Sequence, residues 1–135
     1  MHNKTFAIIK PDAIKNGYLG KIIDMIIQND FHILNARLIT MTENQAQQFY
    51  AIHRERPFFN DLVSFMSSAQ SMVIELEKEN AVDEWRNLIG ATDPNEADEG
   101  TIRKLFAENK EKNSVHGSDS DANAVIEINF FFKNE

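Results

Sequence analysis

Thr5-Phe6-Ala7-Ile8-Ile9 is a short and almost continuous apolar run near the start of the chain, and Pro11 follows it closely. An apolar run of this length without polar alternation predicts a β-strand that is buried on both faces. Proline lacks the N–H group that a sheet interior needs, so Pro11 is expected to end the strand. The other predicted elements are arranged around this strand.

Periodic apolar residues predict the remaining elements. A stripe at i, i+3, i+4, i+7 and i+8 indicates an amphipathic helix, and its members are Leu19, Ile22, Ile23, Ile26 and Ile27. Further predicted elements are strands at 31–40 and 72–76, helices at 42–53, 58–66 and 80–90, and a helical turn at 101–106. The helix at 42–53 would carry on one face Ala46, Phe49, Tyr50 and His53. Thr42 opens a capping box, Asn80 is expected to cap its helix, and Gly90 is expected to end it.

The C-terminal residues leave two alternatives open. Residues 125–130 alternate like a strand, whereas Ala122, Val125 and Ile126 suit a helix, and periodicity does not decide between them. The order strand, helix, strand, helices, strand, helix predicts an α+β fold with helices on one face of a mainly antiparallel sheet. Because no linker, repeat or low-complexity tract divides the 135 residues, we expect a single domain at 1–135.

Composition excludes several classes of protein. The formal net charge of −7 disfavours nucleic-acid binding, which needs a broad basic face, and it restricts any phosphate site to a compact cluster of cations. No apolar run approaches the roughly 18 residues of a membrane helix. The chain has no cysteine for a disulfide framework, so we expect a cytoplasmic protein without a membrane partner.

The segment Asn113-Ser114-Val115-His116-Gly117-Ser118-Asp119-Ser120 combines an imidazole, a flexible glycine, hydroxyls and a carboxylate. An imidazole can act as a nucleophile when one ring nitrogen is unprotonated and a carboxylate holds the proton on the other. Glu127 and Asp119 are both candidates for that carboxylate. The alternative is a surface loop whose serine and aspartate residues cap the following helix.

Several other side chains could contact a nucleotide. Arg86 and Arg103 flank the polar stretch 91–113, and guanidinium groups match phosphate oxygens bidentately. Thr92 could add a hydroxyl donor, Lys10 a point charge, and Phe58 a ring on which a base stacks. Each of these residues also has a purely structural interpretation, as a solvated helix residue, a strand end or a core aromatic.

Five segments, in the same order along the chain, closely resemble the signature segments of nucleoside diphosphate kinases. They are Ile9-Lys10-Pro11-Asp12, Arg56-Pro57-Phe58-Phe59, Gly90-Ala91-Thr92-Asp93-Pro94, Gly100-Thr101-Ile102-Arg103 and Asn113-Ser114-Val115-His116-Gly117-Ser118-Asp119. The resemblance runs from about Lys4 to Phe132, and the stretch around His116 is highly specific to that family.

The resemblance implies a ferredoxin-like α/β sandwich, in which helices cover a four-stranded antiparallel sheet, and it implies that the C-terminal segment is a helix. Family enzymes transfer the γ-phosphate of a nucleoside triphosphate to a nucleoside diphosphate by a ping-pong route with Mg²⁺. We expect the Mg²⁺ ion on the nucleotide phosphates, because the sequence shows no dedicated set of carboxylates. Stacking on one aromatic ring implies broad base specificity. A homo-oligomer, either tetramer or hexamer, is also expected.

The resemblance also implies roles for individual residues. His116 matches the residue that is phosphorylated, Glu127 the carboxylate that orients it, and Ser118 the hydroxyl that supports this carboxylate. The residues that match groups around the phosphates, sugar and nucleophile are Lys10, Tyr50, His53, Arg86, Thr92, Arg103 and Asn113. Phe58 and Leu62 match the pair that packs on the base.

Some positions depart from the family's usual pattern. Glu111-Lys112 precedes Asn113, Glu99 precedes Gly100, Lys104-Leu105 follows Arg103, and Ala69-Gln70 replaces a Gly-Pro turn. The two glutamates add negative charge to a loop that often shapes the nucleotide mouth, but the predicted catalytic set is unchanged.

Two alternatives to the kinase remain open: a catalytically idle nucleotide-binding scaffold, and a phosphohistidine donor to proteins.

Overall fold

The structure, a computed structural model, describes residues 3–132 and contains within them one antiparallel sheet of four strands. The strands are β1 (Lys4–Ile9), β2 (His32–Thr40), β3 (Gln70–Glu77) and β4 (Val115–Gly117), in the order β2-β3-β1-β4. The helices are α1 (Pro11–Lys15), α2 (Leu19–Gln28), α3 (Glu43–Phe49), α4 (Phe59–Met66), α5 (Ala81–Ile89), α6 (Ile102–Phe106) and α7 (Asp121–Phe131), with a short 3₁₀ helix at Ala51–His53.

Helices cover both faces of the sheet, so the prediction of helices on one face is wrong. Residues of β1 alternate between two cores: Phe6 and Ile8 belong to one, Ala7 and Ile9 to the other. The first core also contains residues of α3, α4 and α7, and the second contains residues of α2, α5 and α6. A central strand that is apolar on both faces has to be covered twice, which gives the α/β sandwich expected from the resemblance.

β4 is a strand that the residue pattern did not predict. It has three residues, which is too short for a period of two to be visible, and it lies in a polar segment. Pairing with β1 defines it, with Ile8 opposite His116 and Ile9 opposite Val115. The register therefore places His116 beside the central strand of the sheet.

The helix ends confirm some predictions and contradict others. Thr42 forms both hydrogen bonds of its capping box with Gln45, and Gly90, with φ 87°, ends α5. Asn80 adopts a left-handed backbone conformation with φ 56°, and its side chain makes no capping hydrogen bond to any described residue, so that prediction is wrong. α3 ends at Phe49, so His53 lies in a separate 3₁₀ helix and not on one continuous helical face.

The C-terminal segment is helical, as the resemblance implied, and the strand alternative is wrong. Ile128 and Phe131 of α7 are buried in the core that contains Phe6 and Ile8. Ser120 caps this helix by accepting a hydrogen bond from the Asn123 N–H group at 3.1 Å. Within residues 3–132, no helix combines the length and the apolar character that a membrane span requires.

Candidate active site

Eleven of the twelve predicted site residues line one cavity of about 880 Å³. These residues are Lys10, Tyr50, His53, Phe58, Leu62, Arg86, Thr92, Arg103, Asn113, His116 and Glu127. Ser118 is the twelfth, and it lies buried behind Glu127. The cavity has the size of a small-ligand site. Side chains that are up to 117 positions apart, from Lys10 to Glu127, are therefore brought together by the fold.

The imidazole of His116 is held at one ring nitrogen. Its Nε2 atom lies 2.8 Å from Oε1 of Glu127, and Ser118 Oγ donates to the same oxygen at 2.7 Å. An ionised carboxylate only accepts hydrogen bonds, so the Nε2 proton faces Glu127 and Nδ1 remains for a ligand. Asp119, the rival carboxylate, instead accepts from Asn123 Nδ2 at 2.6 Å. Glu127 is thus the carboxylate that the fold brings to the ring.

Trp85 of α5 lies in the core and anchors the backbone of β4. Its Nε1 atom donates to the carbonyl oxygen of His116 at 3.1 Å. A Cβ atom added at Gly117 would lie 2.7 Å from Trp85 Cδ1, so the glycine permits this close approach. A displaced indole would leave the His116 carbonyl without this donor.

Lys10 and Asn113 form a buried polar pair beside the cavity. Lys10 Nζ donates to Asn113 Oδ1 at 2.9 Å and to the carbonyl oxygen of Glu111 at 3.3 Å. Because Glu111 contributes only its carbonyl oxygen to this contact, its unusual side chain does not change it. Burial lowers the pKa of Lys10 to about 8, against the opposing charge of Asp12. The ammonium is therefore still mainly charged at neutral pH.

Arg103 is half-buried and links two backbone segments. Its Nη1 donates to the carbonyl oxygen of Gly90 at 2.9 Å, and its Nη2 donates to that of Val115 at 2.8 Å. Burial, with the nearby charge of Arg86, lowers the pKa of Arg103 to about 10, so the guanidinium remains charged at neutral pH. Arg86 and Thr92 are exposed at the same cavity.

Aromatic and apolar side chains line another part of the cavity. Tyr50 is buried, and burial, with the charge of Glu127 as a smaller cause, raises the pKa of its hydroxyl. Phe58 is 40% exposed and its ring centroid lies 5.5 Å from that of His53. Leu62 follows Phe58 one helical turn later on α4. This pair offers an open apolar surface on which a planar base can pack.

The cavity is also lined by side chains that the sequence did not single out for a site. Among them are Gln48, Ile52, Asn123 and Ile126. A signal existed for one of them, because Asn123 and Glu127 are four positions apart and share a face of α7. It could be used only after the helical alternative for this segment had been chosen.

Comparisons with known proteins show the family to which the chain belongs. The family model described as "Nucleoside diphosphate kinase" matches residues 3–135. A nucleoside diphosphate kinase of Lawsonia intracellularis is 55% identical over 128 residues, which cover 95% of this chain and 93% of the relative.

Two solved structures are also similar. The Aquifex aeolicus nucleoside diphosphate kinase has a TM-score of 0.95 and 44% identity, over 97% of this chain and 95% of that one. The Halobacterium salinarum enzyme in complex with CDP has a TM-score of 0.95 and 32% identity, over 99% of this chain and 90% of that one. The chain therefore belongs to the nucleoside diphosphate kinase family.

Proposed function

We propose that this protein transfers the γ-phosphate of a nucleoside triphosphate to a nucleoside diphosphate through a phosphohistidine on His116. The single observation that carries the proposal is the chain Ser118–Glu127–His116, which holds Nε2 and leaves Nδ1 for a substrate in a cavity lined by cations. A nucleotide-binding scaffold has no need for both a nucleophile and the carboxylate that orients it.

The proposed reaction consists of two matched displacements. The Nδ1 lone pair of His116 attacks the γ-phosphorus, a P–N bond forms, and the bond to the bridging oxygen breaks with release of the nucleoside diphosphate. A terminal oxygen of a second nucleoside diphosphate then attacks the phosphorus of the phosphohistidine, a P–O bond forms, and the P–N bond breaks, so that the electron pair returns to Nδ1 and the free imidazole is restored. The proton stays on Nε2 throughout, hydrogen-bonded to Glu127, whose carboxylate stabilises the positive charge that the ring acquires.

The cationic side chains provide electrostatic stabilisation. Charge develops on the peripheral oxygens of a transferring phosphoryl group, and fixed positive groups stabilise it most when they are preorganised. Lys10 is held by Asn113, and Arg103 is held by two backbone carbonyl groups, so neither needs to reorganise when the substrate binds. Arg86 and Thr92 supply further donors at the exposed part of the cavity.

Enzymes of this family need a divalent metal for phosphoryl transfer. Residues 3–132 contain no group of three histidine or acidic side chains that could hold such an ion. We propose that Mg²⁺ is the ion and that it arrives on the nucleotide phosphates as part of the substrate. Mg²⁺ often binds in this way, with few protein ligands and several waters.

The open position of Phe58 supports broad base specificity. Every base has a π-face, so stacking is worth about 1–3 kcal/mol whatever the base. The similar enzyme from Halobacterium salinarum was solved with CDP, a pyrimidine nucleotide. We therefore propose comparable turnover of purine and pyrimidine nucleotides.

We also propose that the chain acts as a single domain in the cytoplasm.

Intact-mass spectrometry with a chase tests the proposed function. The protein is mixed with ATP and Mg²⁺, its mass is measured, and GDP or CDP is then added, with His116→Ala and an EDTA-treated sample in parallel. We expect one acid-labile phosphoryl group that appears on the wild type, moves to either diphosphate, and is absent from both controls. A folded wild type that binds nucleotide but forms no adduct would support the scaffold instead, and a thousandfold preference for one base would contradict the base-stacking proposal.

A further inference from the structure

The three residues Asn113, Ser114 and Val115 form a strained turn next to the nucleophile. The Val115 N–H group donates to the carbonyl oxygen of Asn113 at 2.8 Å, which closes a γ-turn, and Ser114 at its centre has φ 72°. A γ-turn with positive φ is rare, and residues other than glycine seldom adopt it without support from their surroundings. The turn connects Asn113, the partner of Lys10, to His116 two positions after Ser114.

Both backbone polar groups of Ser114 are bound by the segment that begins at Lys10. Asp12 Oδ2 accepts a hydrogen bond from the Ser114 N–H group at 3.0 Å, and the Lys10 N–H group donates to the Ser114 carbonyl oxygen at 2.8 Å. The carboxylate of Asp12 therefore supports the strained residue through its backbone N–H group. Asp12 lies only two residues after Lys10. One short segment therefore carries Lys10 and also holds the turn that contains Asn113, the partner of Lys10.

The environment of Asp12 is unfavourable for a residue that serves stability alone. Asp12 is 5% exposed, and its Oδ1 atom has no hydrogen-bond partner within the described part of the chain. Burial raises the pKa of its carboxyl group, and the charge of Lys10 opposes this shift. A buried carboxylate with one unpaired oxygen costs folding free energy. Such a cost next to reacting groups is typical of a functional position.

We propose that Asp12 is a positioning residue, whose carboxylate holds the turn at 113–115 and thereby fixes the Lys10–Asn113 pair and the His116 ring. The inference rests on the function proposed above for His116. Asp12 is separated from the reacting atoms by the turn, so it acts through the geometry of its neighbours and not through contact with the phosphate.

Two substitutions separate the hydrogen bond from the charge. Asp12→Asn keeps an oxygen that accepts from the Ser114 N–H group, whereas Asp12→Ala removes the acceptor. We expect the single-turnover rate of His116 phosphorylation by ATP to fall roughly 10–100-fold in Asp12→Ala, as small misplacements of reacting groups do. The rate in Asp12→Asn should stay within about fivefold of the wild type, since its acceptor is retained.

Two measurements distinguish positioning from a general loss of stability. Hydrogen exchange at the Ser114 amide, followed by NMR, should accelerate in Asp12→Ala and stay slow in Asp12→Asn. Ile74→Val serves as the matched control, because Ile74 is buried in the core on β3 and removing one methylene lowers stability without touching the turn. This control should keep the wild-type phosphorylation rate at a temperature where all variants are folded.

The outcomes differ for each hypothesis. A folded Asp12→Ala enzyme with the wild-type rate would overturn the inference, and so would an Asp12→Asn enzyme slowed more than tenfold. The second criterion remains decisive if Asp12→Ala does not fold. A wild type that forms no phosphohistidine would instead contradict the proposed function itself. That result differs from failure of the inference alone, in which the wild type and Asp12→Ala are both phosphorylated at the same rate.

Discussion

Nδ1 of His116 is the atom on which the proposed reaction depends, because the other ring nitrogen, Nε2, is bound to Glu127. Oε1 of Glu127 is hydrogen-bonded to Nε2, and the Ser118 hydroxyl donates a second hydrogen bond to the same oxygen. This arrangement needs residues from β4, the following loop and α7, and the helix has to be in the correct rotation for Glu127 to face the sheet. The chemistry of the ring is therefore determined by one short chain of hydrogen bonds.

Lys10 gives the proposed site a dependence on pH. Its pKa of about 8 means that the side chain is charged below pH 8 and neutral above it. Phosphate binding that needs the ammonium is thus present below pH 8 and lost as the pH rises. We expect kcat/KM for ATP to fall about tenfold between pH 7 and pH 9, because this ratio reports the titration of the free enzyme. Steady-state rates at low ATP concentration measure the effect.

Lys10→Met is the control for this prediction. The variant lacks the titrating group, so its kcat/KM should be lower than that of the wild type at pH 7 and nearly constant up to pH 9. Arg103, with a pKa of about 10, stays charged over the same range and does not obscure the result. An alkaline decrease of equal size in Lys10→Met would show that another group causes it.

At the scale of elements, the C-terminal end of α5 helps to position a cationic side chain of the site. Gly90 ends the helix with φ 87°, its carbonyl oxygen accepts from Arg103 Nη1 at 2.9 Å, and α5 also carries Arg86 and Trp85. One glycine therefore determines where the helix stops and where Arg103 is held. Thr101, the N-cap of α6, packs directly against Gly90.

Gly90→Ala should destabilise the protein. A Cβ atom at this position would lie 2.6 Å from Thr101 Oγ1, and the positive φ adds backbone strain. We expect a loss of about 1–3 kcal/mol in the free energy of unfolding, together with reduced activity from a displaced Arg103. Urea denaturation measures the free energy of unfolding, and the rate of phosphoryl transfer from ATP to a nucleoside diphosphate measures the activity.

Gly20→Ala is the matched control for Gly90→Ala. Gly20 lies exposed in α2, a Cβ atom there would meet no atom of the described residues within 4 Å apart from its chain neighbours and the helix's own backbone, and alanine is a better helix former than glycine. This variant should be as stable as the wild type or more stable by up to about 1 kcal/mol. Equal stability of the two variants would contradict the argument from the positive φ and the Thr101 contact.

At the scale of the whole molecule, one edge of the sheet presents apolar side chains to solvent. Within residues 3–132, β2 pairs with β3 on one side only, and Leu34 and Leu38 are 40% and 44% exposed. An open strand edge with apolar residues is typical of a surface that associates with another chain. We therefore propose that the chain forms a homo-oligomer that uses this edge.

Size-exclusion chromatography with light scattering tests this proposal. We expect a mass several times the 15.5 kDa of one chain, with a smaller assembly for the double variant Leu34→Asp, Leu38→Asp. Val125→Asp, which changes an apolar residue of α7 that is 59% exposed, should leave the mass unchanged. A wild type that elutes with the mass of one chain would contradict the proposal, and the measured multiple distinguishes a tetramer from a hexamer.

The sequence by itself determined the elements whose apolar residues repeat over several turns or positions. β1, α2, α5 and the capping box at Thr42 were predicted because burial and capping leave local patterns. Resemblance of the segment around His116 gave the family, which the comparisons confirmed. The resemblance along the whole chain indicated twelve site residues, eleven of which line one cavity.

Only the tertiary structure decided the features that depend on contacts between distant residues. β4 exists because three residues pair with β1, and α7 is a helix whose apolar side packs on the sheet, which periodicity left open. The same holds for the support of Ser114 by Asp12, which joins positions 102 residues apart. Local sequence patterns record what a segment buries, but they carry no information about which remote side chain will complete its hydrogen bonds.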